Sequence, residues 1–88
     1  MKVSKEFIIR KIADEYVLVP VGKTALTFNG LITVNEVGAL IWQELIRGSS
    51  VKNIVSKILD EYEVDGVTAE ADVREFISYL KQNSIIDD

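Results

Sequence analysis

The chain of 88 residues carries fourteen Asp and Glu but neither cysteine nor histidine. That composition excludes a thiolate nucleophile, a disulfide, a thiolate-held iron–sulfur cluster, and a zinc site or acid–base pair built on imidazole. A pair of carboxylates could in principle act as general acid and base. Here, however, the acids are scattered among solvent-type positions. A carrier-protein role would need a prosthetic-group serine exposed at a helix start behind an acidic residue. Ser49 and Ser50 instead follow Arg47-Gly48, while Ser56 and Ser78 fall inside helical patterns. The chain is therefore expected to be no enzyme and to hold no metal or cofactor, leaving any demanding chemistry to a partner.

The element expected to organise the chain is residues 31–45, LITVNEVGALIWQEL. Residues 31–34 suit a half-buried strand, and Asn35 can offer its side-chain oxygen to the first free N–H groups of a helix. Glu36 in the first turn suits the helix dipole, and Val37, Leu40, Ile41 and Leu45 recur at helical spacing. Ahead of this stretch, Phe7–Ile12 and residues 16–19 read as a hairpin broken at Asp14-Glu15, with Pro20 and Gly22 closing the second strand. Residues 25–28 read as a further strand, joined to residues 31–34 by an Asn29-Gly30 turn. Behind it, Gly48 stops the first helix and Ser50 caps a second, with Val51, Ile54, Val55, Ile58, Leu59 and Tyr62 on one face. Residues 63–67 read as a loop. Thr68 is expected to cap a third helix with an inward stripe of Ala69, Val73, Phe76, Ile77 and Leu80. Asn83 ends it, and Ile85-Ile86 fold back. The predicted fold is one α+β domain over residues 1–88, a small antiparallel sheet followed by three helices, resembling a winged helix-turn-helix.

Charge tests what such a fold would bind. Residues 1–34 carry five Lys or Arg against three acids, and residues 35–88 carry five against eleven. A DNA-reading helix needs cations for phosphates, whereas the third helix carries three acids and two bases and the second is followed by Glu63 and Asp65. Nucleic acid is thus not an expected partner, although a winged-helix DNA-binding or transcription-regulatory domain is the alternative reading. The charged start MKVSKEF and the lack of any apolar run near ~20 residues point away from a signal peptide and a membrane span. A soluble, cytoplasmic protein is expected.

The string FNGLITVNEVGALIWQELIRG, followed by VKNIVSKILDEYEVD and ADVREFISYLKQNSII, resembles the PqqD family, peptide chaperones also called RiPP recognition elements. The resemblance rests on an ordered series: an Asn-Gly turn, a strand ending in Asn35, a helix with Ile41-Trp42, then Gly48, Tyr62 and a closing apolar pair. Val34 and Asn83 depart from it, standing where the family more often has leucine and glycine. The resemblance implies a winged-helix-like domain that binds the leader segment of a ribosomally made precursor peptide. It would present that peptide to a modifying enzyme, in this family usually a radical-SAM protein. Carried onto this chain, it implies that an open strand edge at Leu31, Ile32, Thr33 and Val34, extended through Phe28, takes the peptide as an added strand. The groove to the third helix would add Phe76, Ile77 and Leu80, with Tyr79 at its rim. Trp42 is assigned to the core before any partner contact. An open edge can equally pair with a second copy, so a homodimer is the other partner to weigh.

Overall fold

Residues 7–20 form the expected hairpin, and the rest of the sheet is built on it. In the computed structural model, which describes residues 2–28 and 30–87 and leaves the side chain of Asp87 aside, strand β1 (Lys2–Val3) leads into β2 (Phe7–Ile12) and β3 (Glu15–Pro20). Strands β2 and β3 pair antiparallel in a register that sets Phe7 against Pro20 and Ile12 against Glu15. Between them Ala13 takes a positive φ of 56°. Pro20 is the last residue of its strand, where a missing N–H costs least.

The next segment departs from expectation. Residues 25–28 do not form a strand; Thr24–Thr27 make a single helical turn, α1, and Phe28 follows it in extended conformation. The cause lies far away in the sequence. The Glu6 carboxylate accepts from the Lys23 N–H at 3.1 Å and from the Thr24 hydroxyl at 3.0 Å, anchoring the start of the turn. Gly22, with φ +62°, lets the chain pass so close to Glu6 that a Cβ there would collide with its carboxylate. Of the expected Asn29-Gly30 turn, Asn29 lies outside the described residues, and Gly30 has φ +96°. The chain then returns as β4 (Ile32–Val34), which pairs antiparallel with β3 through Tyr16–Val34, Val17–Thr33 and Leu18–Ile32.

The three principal helices are α2 (Glu36–Ile46), α3 (Val51–Glu61) and α4 (Gly66–Gln82). Asn35 caps α2, its side-chain oxygen accepting from the Gly38 N–H at 2.7 Å, and Ser50 caps α3 through the Asn53 N–H at 3.2 Å. Gly48, with φ +86°, closes α2 while Ser49 N–H donates to the Glu44 carbonyl, a left-handed helix stop. Helix α4 starts earlier than expected: its cap is Asp65, accepting from the Thr68 N–H at 2.7 Å, and Thr68 lies inside the first turn. After Asn83, strand β5 (Ile86–Asp87) pairs with β1 as a separate two-stranded ribbon.

One core joins these layers. Leu18, Ile54, Val73 and Leu80 are fully buried, and Ile41, Trp42, Ile58 and Ile85 nearly so. Each such aliphatic side chain contributes about 1.5–3 kcal/mol by leaving water. No polar or charged residue is buried among the described residues. No helix among them is long and apolar enough to cross a membrane.

Candidate functional site

Strand β4 is the last of the sheet, in the order β2-β3-β4, and among the described residues nothing pairs with its far side. Its pleat buries Ile32 and Val34 and leaves Thr33 exposed. Two helices then wall the space beside that free edge. Helix α2 leaves β4 directly at Asn35, and α4 crosses nearby with Asp72, Glu75, Phe76 and Tyr79 turned toward the strand. Those four positions follow the i, i+3, i+4, i+7 spacing of one helix face. Together with Thr33, Val34, Asn35, Val37, Gly38 and Ile41 they line a groove of about 350 Å³.

The floor of the groove depends on Gly38. A Cβ at this position would lie 3.2 Å from the Val34 Cβ and 3.3 Å from both the Asn35 Oδ1 and the Phe76 ring. A Cβ there would be accommodated only if its neighbours gave way by a few tenths of an ångström. The Phe76 ring, half-buried, rests on that bare backbone and forms one apolar wall. Tyr79, 43% exposed, stands at the rim.

A second hollow of about 550 Å³ shares Thr33, Val34 and Asn35 with the groove and runs on toward the β2–β3 turn, where Lys11, Asp14, Glu15, Tyr16 and Glu36 line it. The Lys11 ammonium lies 5.7 Å over the Tyr16 ring. Burial, followed by hydrogen bonding and charge from Glu36 and then charge from Glu61, pushes the Tyr62 phenol above its ordinary value. At the far end of α4, hydrogen bonds from Thr68 hold the Asp65 carboxyl below the usual carboxylate range.

Of the residues singled out by sequence, the structure brings Thr33, Val34, Phe76 and Tyr79 together in the groove. Ile32, Ile77 and Leu80 belong to the core. Leu31 precedes the strand and is 58% exposed. Phe28 lies before β4 and packs edge-on against Phe7, with ring centroids 5.1 Å apart. Sequence reasoning did not pick out Gly38, Asp72 or Glu75 as groove residues. Gly38 carried a signal, a glycine inside an otherwise apolar helical stripe, which marks close backbone approach. Trp42 is buried as expected, at 2% exposure. Chemically the groove offers unpaired backbone at strand spacing, apolar walls and two carboxylates, an arrangement that can bind an extended chain. No group of three or more Asp and Glu among the described residues is arranged to hold a metal ion.

Comparison with known proteins gives the same family as the sequence. The family described as coenzyme PQQ synthesis protein D (PqqD) matches residues 8–86. Among solved structures, TbiB1 in complex with the TbiA(beta) leader peptide is 32% identical, with a TM-score of 0.77 over all of both chains. A lasso peptide synthetase B1 complexed with the leader peptide is 27% identical, with a TM-score of 0.73 over 93% of this chain and 91% of that one. No protein of curated function matches.

Proposed function

The chain belongs to the PqqD family, and from that premise we propose that it is a leader-peptide-binding adaptor, a RiPP recognition element. The leader segment of a ribosomally made precursor lies along β4 as a further strand, and alternate side chains enter the groove toward α4. Backbone pairing supplies affinity with little sequence choice, and the groove supplies the choice. The single observation that carries this reading is the free edge of β4 beside an apolar groove walled by Phe76. Two similar structures, each solved with a leader peptide, support it.

Energetics say why the groove matters. A free leader is disordered, and ordering it consumes about 2–5 kcal/mol of the gross interaction, while micromolar affinity needs about −8 kcal/mol net. Backbone pairing along three residues does not supply both. Burial of apolar leader side chains against Phe76 and Val37, at about 1.5–3 kcal/mol for each that is well buried, closes the gap.

The chain itself does no chemistry in this proposal. A partner enzyme modifies the presented core peptide, and its assignment to the radical-SAM type rests on family membership alone. Charge speaks against the DNA-binding alternative, because α4 turns Asp72 and Glu75, and no cation, toward β4. The test is a titration of labelled protein with the TbiA(beta) leader peptide, or with a leader encoded beside this chain. Amide shifts are expected in residues 28–34 and 73–81. Shifts confined to residues 51–62 would refute strand addition.

A further inference from the structure

The proposed peptide site has a charge that nothing in its apolar floor requires. Among the described residues, Asp72 and Glu75 are the only charged ones lining the groove, and both are exposed. The adjoining hollow adds Asp14, Glu15 and Glu36 against Lys11 alone. The one cation on α4 between these two carboxylates, Arg74, pairs instead with Glu70 at 3.4 Å. Asp72 and Glu75 stand at i and i+3 on one helix face, so they repel each other across water. A cation delivered by a ligand would relieve that repulsion. An acidic ligand would add to it.

We infer that the groove takes peptides bearing a Lys or Arg close to an apolar anchor and rejects acidic segments. This rests on the reading of the groove as a peptide site and adds the charge of its occupant. Spacing sets where the cation belongs. Asp72 and Glu75 lie four residues and one residue from Phe76 along α4, within about 6 Å of axial rise. That is less than two residues of extended peptide at ~3.3 Å each. With the anchor against Phe76, a cation within about three residues of it reaches a carboxylate.

The test is a selection from a displayed library of random peptides against the whole chain, followed by affinity measurement on synthetic copies of the selected sequences. Selected peptides are expected to carry an excess of Lys or Arg within about three residues of an aromatic or branched anchor. The exposed double substitution D72N/E75Q is expected to weaken them about five- to tenfold at ~0.1 M salt. That difference should close at ~1 M salt, where screening shortens to ~3 Å. If selected peptides lack the excess of cations, or bind D72N/E75Q equally well, yet lose affinity in Phe76→Ala, the charge inference fails and the peptide site stands. If binding survives Phe76→Ala as well, the site and the inference fall together.

Discussion

Among the described residues the sheet has two free edges, and they differ in length, walls and charge. Strand β2 offers six residues and β4 only three. Beside β2 lies a hollow of about 670 Å³ lined by Phe7, Ile8, Ile9, Trp42 and Ile46, with Lys5 and Arg47 as its charged groups. Beside β4 the groove is smaller, is walled by both α2 and α4, and is charged by Asp72 and Glu75. Any free edge can accept a strand, so edge length does not identify a site. What distinguishes β4 is the close packing at Gly38, which sets an aromatic wall within reach of side chains on an added strand. The charges also bear on self-association. Two copies meeting at their grooves would bring Asp72 and Glu75 of each together, which opposes self-pairing through β4.

The largest effect should come from the β4 backbone itself. In an antiparallel ladder, neighbouring residues alternate between pointing their N–H at the partner strand and pointing it away. Proline at Ile32 and proline at Thr33 therefore remove opposite kinds of donor. The one whose N–H faces the free edge is expected to abolish peptide binding while keeping a native circular dichroism spectrum. Equal binding by both folded variants in calorimetry would favour the β2 edge.

Next in size is the wall. Phe76→Ala should weaken peptide binding by about 1.5–3 kcal/mol. Ile46→Ala, in the hollow beside β2, should change it by less than about 0.5 kcal/mol. Fluorescence anisotropy on both variants measures the contrast, and the reverse order would move the site to β2. Gly38→Ala is subtler. It gains up to about 1 kcal/mol of helix propensity, but its Cβ must push the Phe76 ring aside. Affinity is expected to fall several-fold with the melting temperature nearly unchanged.

These contrasts mark what could be read in the sequence and what could not. The β2–β3 hairpin, the Asn35 and Ser50 caps and the Gly48 stop were legible because each depends on residues a few positions apart. The helical turn at Thr24–Thr27 was not, since its anchor is Glu6, seventeen residues from Lys23. The start of α4 is ambiguous in the sequence because Asp65 and Thr68 are both good caps, and Gly66 and Val67 between them argue weakly for helix. In the groove, periodicity placed Phe76, Ile77 and Leu80 on one apolar stripe. Only the packing of α4 on α2 at Gly38 sets Phe76 at the groove and leaves Ile77 and Leu80 in the core.

The smallest expected effect lies on α4, away from both edges. The Asp65 carboxyl is held below its unfolded value by the Thr68 N–H. Its contribution to stability is thus full above the unfolded pKa and is lost as pH falls through the folded one. In Asp65→Asn, which keeps a capping oxygen, urea midpoints followed below about pH 4 should fall less steeply than in the parent chain. Peptide affinity at neutral pH should stay the same.

The most direct test of the central claim is a set of nuclear Overhauser contacts between the backbone of a bound TbiA(beta) leader peptide, or a leader encoded beside this chain, and the labelled protein. Cross-strand contacts from peptide α-protons to the backbone at Ile32, Thr33 and Val34, with side-chain contacts to Phe76, are the predicted result. Backbone contacts to residues 7–12 in place of β4, with none to Phe76, would contradict it.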